Sequence, residues 1–337
     1  MRDLGRTPAT LRERPAGLAS IQAPVAARLD QVMDEIRRIV VNDFALIEQV
    51  NEYLLRVRGK LFRPTLLLHA SEIGGVSQPR AVTLGAVVEL VHLATLVHDD
   101  AVDHSVLRRG LPTVNALWTH QVAIIMGDYL YSRAVTELAQ LGDLEAVRVL
   151  ARAANEMSMG EMRQLTSFDA LDFSEHDYIQ LIAAKTASLM SAACELGALA
   201  GMPECRAPLA RFGHHLGMAF QIADDLLDYT GNEAVTGKPS GHDLRERKVT
   251  LPLVGALPHA RESEVREIRT FFTRVDPSDD EIARIVDIVD ERGGLAYARE
   301  RAGEYAERAE EALAGIGGGA AVESLREAVT YAVGRSR

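Results

Sequence analysis

Residues 84–103 read LGAVVELVHLATLVHDDAVD, an apolar run with a single glutamate that ends in a cluster of three aspartates. Residues 214–228 read HHLGMAFQIADDLLD and end in a cluster of the same form, Asp-Asp-x-x-Asp. A helix has 3.6 residues per turn, so the first and last aspartates of each cluster share one face. The two runs therefore predict two buried helices that carry aspartates at their C-terminal ends.

These aspartates are unfavourable unless a cation lies nearby. Like charges one turn apart repel, and the C-terminal end of a helix already carries partial negative charge. A lone cluster would ordinarily be a solvated acidic helix end. Two identical clusters, each following an apolar run, instead indicate a site at the edge of an apolar cavity. Mg²⁺ suits such a site, because it is usually held by one or two carboxylates together with the phosphates of a substrate.

The composition favours an all-α protein. Of the 337 residues, 47% are hydrophobic but only 5% are aromatic, and runs of β-branched residues are scarce. Helical periodicity is nearly continuous from Ala26 onward, with breaks at glycines and prolines. Since the composition does not change along the chain, we predict one large helical bundle over residues 21–337, preceded by a flexible N-terminal arm over residues 1–20.

Charge and hydropathy argue against several classes of protein. The net charge of −11 disfavours nucleic acid as a partner, because binding to a phosphate backbone needs a basic face. No charge-free apolar run reaches about 18 residues and the N-terminus is polar, so we predict neither a membrane span nor a signal peptide, and a cytoplasmic location. Cys194 and Cys205 have no ligand-like neighbours and are interpreted as structural.

Three groups of basic residues accompany the aspartates. They are Arg108 and Arg109 after the first cluster, Lys238 and Lys248 in the loop after the second, and Lys60 and Arg63 upstream of both. Pro64 fits the first turn of a helix, and a helix N-terminus beside basic residues is a ready anion site. Arginine offers paired donors to phosphate and lysine a point charge. Each group alone is an ordinary charged surface, but together they predict a diphosphate site.

In this order the motifs resemble those of the trans-isoprenyl diphosphate synthases, which elongate prenyl chains head to tail. The resemblance extends from about Gly59 to Tyr305. Besides the two aspartate clusters, it rests on Gly59-Lys60-x-x-Arg63-Pro64, Gly127-Asp128-Tyr129-Leu130, Lys185-Thr186-Ala187, Gly237-Lys238-Pro239, Lys248-x-Thr250-Leu251-Pro252 and Gly293-Gly294-Leu295. Arg247 is a departure, because the family often has glycine before the lysine of the Lys-x-Thr-Leu-Pro segment.

The resemblance implies the isoprenoid synthase fold, a helical bundle around a central apolar cavity, in a homodimer that uses three Mg²⁺ ions. It implies that Asp99, Asp103 and Asp224 bind metal directly, with Asp100, Asp225 and Asp228 as direct or water-mediated partners. It assigns the allylic diphosphate to Arg108, Lys185, Lys238 and Lys248, and isopentenyl diphosphate to Lys60, Arg63, His92 and Arg109. Thr186 and Gln221 match positions that line the reacting centre.

Small residues before the first cluster predict a long product. Thr95 lies four residues before Asp99 on the same helical face, with Ala94 beside it, so both line the cavity one turn deeper. In the family that the chain resembles, bulky aromatic residues at these two positions stop growth at short products. The tail should instead pass toward Leu90 and Val91, at ~1.5 Å of depth per residue, which favours hexaprenyl to decaprenyl products of roughly C30 to C50.

The sequence around the first cluster is most similar to that of synthases that make the side chains of respiratory quinones. This implies farnesyl or geranylgeranyl diphosphate as the primer, and contact with a membrane surface when the product is released. Met157, Met159 and Met162 lie on a later helix and are interpreted as core packing, with a pocket floor as the alternative.

Several other functions compete with this interpretation. The nearest is a geranylgeranyl diphosphate synthase, whose product is shorter. A non-catalytic regulatory subunit of a heteromeric prenyl synthase is the alternative of another class, although such subunits tend to lose aspartates and none is missing here. A terpene cyclase would carry a different second metal motif.

Overall fold

The computed structural model describes residues 17–56, 59–108, 110–166, 171–231, 241–274 and 276–334. The protein is 81% helical, which confirms the predicted all-α class. Its α-helices are α1 Leu18–Gln22, α2 Ala26–Val40, α3 Ala45–Arg56, α4 Phe62–Glu72, α5 Arg80–Val102, α6 Val114–Leu117, α7 His120–Gln140, α8 Leu144–Thr166, α9 Glu175–Ile182, α10 Ser188–Gly201, α11 Arg206–Thr230, α12 His242–Arg245, α13 Leu251–Ala256, α14 Glu262–Thr273, α15 Asp279–Glu291, α16 Gly294–Leu313 and α17 Ala320–Gly334.

Shorter elements connect these helices. Three 3₁₀ turns span Ala23–Val25, Pro203–Cys205 and Leu257–His259, and a π-helical turn spans Ala183–Ala187. After α5 the chain forms a small hairpin, in which β1 (Leu107–Arg108) pairs antiparallel with β2 (Leu111–Pro112). The hairpin turns the chain back directly beside the first aspartate cluster.

Residues 1–16 of the predicted arm lie outside the described residues. Helix α1 begins at Leu18, inside the segment 1–20, and Ile21 is fully buried against the bundle. The packed part of the chain therefore includes α1.

The two aspartate helices, α5 and α11, lie at the centre of the bundle. Helix α5 packs against α2, α4, α7 and α10, whereas α11 packs against α10 and α16. Buried apolar side chains form two clusters, one around α5 and the other around α11. Because α10 contacts both helices, it connects the elements that carry the two aspartate clusters.

Helix α10 lies unusually close to α4. A Cβ atom at Gly197 would overlap the carbonyl oxygen of Leu67, and one at Gly201 would overlap that of Ser71. Glycine is required at both positions because the backbone of α4 occupies the space that a side chain would need. The contact fixes α10 against the helix that begins at the upstream basic residues.

Helix α5 is long and apolar enough to cross a membrane by length and composition alone. Interior helices of globular bundles have the same composition, and Val87, Val88 and Leu90 are completely buried inside this one. Packing in the core therefore accounts for the apolar character of α5.

Candidate active site

Side chains from α5 and α11 line a cavity of about 1790 Å³, together with side chains from α4, α7, α8 and α9. Most of the predicted site residues contribute to its wall: Lys60, Arg63, Val91, His92, Ala94, Thr95, Asp99, Asp103, Arg108, Lys185, Thr186, Gln221, Asp224, Asp225 and Lys248. Leu90, Asp100 and Asp228 do not line it, and Arg109 and Lys238 lie outside the described residues. The fold thus brings together predicted site residues that are as far apart in the sequence as Lys60 and Lys248, which are 188 positions apart.

Three aspartates, Asp99, Asp103 and Asp224, face the cavity. Burial, followed by the nearby carboxylate of Glu161, raises the pKa of Asp99 to about 6, although Lys185 opposes the shift. Asp103 follows directly after the last residue of α5 and Asp224 lies on α11, and both are exposed to the cavity. Binding of a divalent cation here would offset the repulsion among these carboxylates.

Asp100 has a different partner from its neighbour Asp99. Its carboxylate accepts hydrogen bonds from Nε of Arg108 at 2.8 and 2.9 Å, and a second guanidinium nitrogen lies 2.8 Å from Oδ1. This two-nitrogen contact holds Arg108 at the cavity wall, while Asp100 itself is buried. The geometry therefore favours a positioning role for Asp100, rather than the metal-partner role that the resemblance implies.

Asp225 takes part in a buried network of polar side chains. The hydroxyl of Tyr178 donates to Asp225 at 2.6 Å, and the amide of Gln221 donates to the same carboxylate at 2.8 Å. The hydroxyl of Thr186 in turn donates to the carbonyl oxygen of Gln221 at 2.8 Å. Burial raises the pKa of Asp225 well above its ordinary value. Tyr178 is a member of this site that the sequence did not single out.

Asp228 holds the protein backbone. Its carboxylate accepts hydrogen bonds from the backbone N–H groups of His242 at 3.1 Å and Asp243 at 2.9 Å, and so it caps the short helix α12. Asp243 lines the cavity, and burial, followed by the charge of Asp228, raises its pKa to about 6. Asp243 is a cavity residue that the sequence analysis did not single out.

Lys185 and Lys248 at the cavity wall are already paired with carboxylates. Nζ of Lys185 lies 2.6 Å from Glu161 and donates to Gln164 at 2.7 Å, and Nζ of Lys248 donates to Glu246 at 2.6 Å. Hydrogen bonding from His242, together with Lys248, lowers the pKa of Glu246 to about 2. A phosphate bound by either lysine would compete with these glutamates, which sequence reasoning did not identify.

The upstream basic residues stand at the start of α4. This helix begins at Phe62, and Leu61 before it has a φ of 48°, in the left-handed region. Thr65 stabilises that conformation, because its N–H and its hydroxyl both donate to the carbonyl oxygen of Leu61. Nε of Arg63 is buried without a hydrogen-bond partner, and burial lowers the pKa of this guanidinium. An anion in the cavity would satisfy the Arg63 donor.

Small side chains widen the cavity beside the first aspartate cluster. Val91, Ala94 and Thr95 line it from α5, and α8 contributes Ala151, Ala154, Met157 and Ser158. The prediction for Leu90 is wrong, because its side chain does not line the cavity. Leu90 lies nine positions before Asp99, which amounts to two and a half turns and places its side chain on the face of α5 opposite to that of Asp99. Met157 is buried at the wall, whereas Met159 and Met162 are exposed.

Residues 44–289 match the sequence model of the family described as Polyprenyl synthetase. The chain belongs to this family. The match contains both aspartate clusters and every described side chain assigned above to the cavity. It confirms the family membership predicted from the motifs and the prenyltransferase class of the protein.

Relatives within the polyprenyl synthetase family cover almost the whole chain. The all-trans-nonaprenyl-diphosphate synthase (geranyl-diphosphate specific) of Rhodobacter capsulatus is 40% identical over 298 residues, which is 87% of this chain and 90% of the relative. Component 2 of the heptaprenyl diphosphate synthase of Geobacillus stearothermophilus is 35% identical over 310 residues, 90% of this chain and 94% of the relative.

The fold is also that of solved members of the family. The crystal structure of a polyprenyl synthase from Caulobacter crescentus CB15, complexed with calcium and isoprenyl diphosphate, superposes with a TM-score of 0.89 at 33% identity. The alignment covers 96% of this chain and 99% of that one. The predicted isoprenoid synthase fold is thereby confirmed.

The family depends on divalent metal, and the donors of this cavity fit such an ion. Among the described side chains, no three carboxylates, imidazoles or thiols converge closely enough to hold a metal by themselves. Asp99, Asp103 and Asp224 nevertheless face one cavity, as suits an ion whose remaining ligands come from a substrate diphosphate. The arrangement therefore fits Mg²⁺ that binds together with substrate.

Proposed function

We propose that the protein condenses isopentenyl diphosphate with an allylic diphosphate, farnesyl or geranylgeranyl, and repeats this step to make an all-trans polyprenyl diphosphate. The observation that carries the proposal is the cavity wall, which combines carboxylates and basic side chains with small and apolar ones. The charged part suits two diphosphates, and the apolar part suits a prenyl tail of hexaprenyl to decaprenyl length.

Asp99, Asp103 and Asp224 are the proposed ligands of Mg²⁺, and we expect three ions with bound diphosphate. Bound Mg²⁺ supplies positive charge to a diphosphate as it leaves carbon 1 of the allylic substrate. The raised pKa of Asp99 supports this assignment, because a buried carboxylate without a cation is unfavourable.

The basic side chains divide between the two substrates. We assign the allylic diphosphate to Arg108, Lys185 and Lys248. Each of these side chains would bind phosphate oxygens in place of its present carboxylate partner or in addition to it. Isopentenyl diphosphate is assigned to Lys60, Arg63 and His92, and the unsatisfied Nε of Arg63 supports this choice. Arg109 and Lys238 stay predicted ligands from the resemblance.

The reaction then needs ionisation, attack and loss of a proton. The bond between carbon 1 and the allylic diphosphate breaks, and the electron pair leaves with the diphosphate. The double bond of isopentenyl diphosphate attacks the resulting cation, and the proton lost passes to the released diphosphate. Thr186 and Gln221 lie at the cavity wall, where their oxygens can face the cation, and the apolar side chains exclude water that would quench it.

Incorporation of labelled isopentenyl diphosphate tests the proposal. With Mg²⁺ and farnesyl diphosphate, the purified protein should form polyprenyl diphosphates, and chelation of the metal should stop the reaction. Absence of incorporation by folded protein would refute the proposed activity for the chain acting by itself.

A second candidate function is that of one component of a heteromeric prenyl synthase, which needs another subunit for activity. One observation favours it. The Geobacillus relative is named component 2 of its synthase, so a member of this family can belong to a multi-component enzyme. Activity of the purified chain distinguishes these alternatives. A self-sufficient synthase would be active, whereas a regulatory subunit or a component that depends on another subunit would be inactive when purified alone.

The cellular context is proposed on similar grounds. We propose a cytoplasmic homodimer whose product supplies quinone side chains and is released at a membrane surface. Exposed Ile124 and Ile125 on α7 support a subunit contact, and exposed Met159, Met162 and Leu165 on α8 support contact with lipid. Sedimentation with phospholipid vesicles tests the lipid contact, which requires that Met162→Glu reduce binding.

A further inference from the structure

Non-glycine residues with positive φ occur at three positions in the described part of the chain, all of them beside the charged cavity wall. They are Leu61, His104 and Arg247, with φ values of 48°, 51° and 59°. Each lies next to a proposed ligand in the sequence: Lys60, Asp103 and Lys248, respectively. A left-handed conformation is unfavourable for any residue with a Cβ atom, and such residues persist where function or packing compensates.

The left-handed conformation of Arg247 closes the C-terminal end of α12, where the N–H of Lys248 also donates to the carbonyl oxygen of Asp243 at 2.8 Å. Glycine would adopt the same conformation freely, and glycine is what the family often has here. The side chain of Arg247 is exposed, lines the cavity, and makes no hydrogen bond or ion pair with any residue that the structure describes. Its backbone N–H donates to Leu244 at 2.9 Å, a contact that glycine would keep.

Arg247 differs from three other cations at the cavity in having no carboxylate partner among the described residues. Lys248 is paired with Glu246 at 2.6 Å, Lys185 with Glu161 at 2.6 Å and Arg108 with Asp100 at 2.8 Å. The guanidinium of Arg247 is therefore available to an anionic ligand without first leaving a carboxylate, in a chain whose net charge is −11. Its guanidinium can donate two parallel hydrogen bonds to phosphate, which a lysine cannot do.

We propose that Arg247 binds the diphosphate of the allylic substrate beside Lys248, and so retains the growing chain between condensations. The inference rests on the proposed function, because the allylic product of one condensation is the allylic substrate of the next. Tighter retention lowers the chance that a chain dissociates before it is full length. Arg247 thus acts as a specificity residue for long products.

Kinetics of Arg247→Gly and Arg247→Gln test this inference. Glycine removes both the charge and the left-handed strain, whereas glutamine removes the charge alone. Both variants should raise the KM for farnesyl diphosphate about tenfold, as expected for one lost charge-assisted contact. The KM for isopentenyl diphosphate should stay within about twofold of wild type, and intermediate chain lengths should accumulate. Arg247→Lys should recover part of the loss.

Stability supplies a readout that a purely structural role would not reproduce. Arg247→Gly should unfold at the same temperature as wild type or higher, despite its weaker binding. Arg245→Gln is the matched control, because Arg245 lies two residues away, pairs with Asp279 and does not line the cavity. It should keep the wild-type KM values and product lengths.

Unchanged KM for farnesyl diphosphate in both Arg247 variants would overturn the inference, as would an effect confined to isopentenyl diphosphate. Calorimetric titration with inorganic pyrophosphate and Mg²⁺ separates this result from failure of the proposed function. If wild type proved inactive but bound pyrophosphate more tightly than Arg247→Gly, the anion site would stand and the proposed reaction would not.

Discussion

Asp99 and Asp100 are adjacent in the chain but have different environments, and the difference sets their chemistry. Asp99 faces the cavity with a raised pKa, whereas Asp100 is buried and clamps Arg108 through two nitrogens. Arg108 comes back to Asp100 because β1 turns the chain beside the end of α5. We propose that a carboxylate used in this way positions Arg108 for phosphate and does not itself bind metal.

Substitution of Asp100 by asparagine tests this division. Loss of the charged clamp should lower kcat/KM for the allylic substrate by about 10- to 100-fold, the range expected for a hydrogen bond to a charged group. The Mg²⁺ concentration that gives half-maximal activity should stay at the wild-type value. Asp103→Asn is the comparison, and it should raise the Mg²⁺ requirement. An equal rise in both variants would return Asp100 to the metal ligands.

The six aspartates also show how much of the site could be predicted from the sequence. The Asp-Asp-x-x-Asp form places the first and last aspartates of each cluster on one face. The resemblance implied three direct metal ligands and three direct or water-mediated partners among the six. Tertiary contacts distinguish them, since Asp225 hydrogen-bonds Tyr178 and Asp228 caps α12. Spacing alone does not reveal partners that come from other helices.

At the scale of helices, the contact between α4 and α10 has little tolerance. Gly197 places its Cα against the carbonyl oxygen of Leu67, in a region where both helices are buried. Any side chain there must push the helices apart, and interiors packed at this density do not absorb such a shift cheaply. The position of the upstream basic residues depends on this contact, because they stand at the start of α4.

Replacement of Gly197 by alanine should destabilise the protein by about 2 to 3 kcal/mol, because the methyl group overlaps backbone that cannot move independently. Gly303, in the middle of α16, is the control. A Cβ there meets no atom within 4 Å, so Gly303→Ala should stabilise by about 0.5 to 1 kcal/mol through helix propensity. Urea unfolding measures both changes, and equal stabilities would refute the packing argument.

Periodicity predicted the elements better than their faces. Helices α5 and α11 have the predicted buried runs, and the small residues Ala94 and Thr95 lie on the predicted side of α5. Leu90 was assigned to the wrong face of α5 because its depth in the cavity was counted along the helix axis, without the rotation of successive residues about that axis. Among the lining residues of α8, Met157 was named from the sequence, as the alternative pocket floor; the others were not, since nothing in the sequence specifies which helices meet at the cavity.

At the scale of the whole molecule, the exposed face of α7 needs an explanation. Ile124 and Val135 are exposed on one side of the helix, with Tyr131, which also lines the cavity, between them. Ile125 beside them is 62% exposed. Apolar side chains in a row on one helix are typical of subunit contacts. The stripe supports the proposed homodimer.

Ile125→Glu should disrupt that dimer, because a carboxylate buried at an apolar contact loses its hydration without gaining a partner. Light scattering should then report the chain mass of 36.8 kDa, in place of twice that value for wild type. Val76, also 62% exposed but in the loop after α4, provides the control. Val76→Glu should stay dimeric, and a dimeric Ile125→Glu would place the contact elsewhere.

Length of the product tests the account most directly, because it depends on the aspartates and on the space beside them together. With farnesyl diphosphate and labelled isopentenyl diphosphate, chromatography of wild-type products should show hexaprenyl to decaprenyl chains. Thr95→Phe should shorten them by filling the cavity next to Asp99, whereas Thr95→Ser should leave them unchanged. Wild-type products that end at geranylgeranyl, or a Thr95→Phe variant with full-length products, would contradict the account.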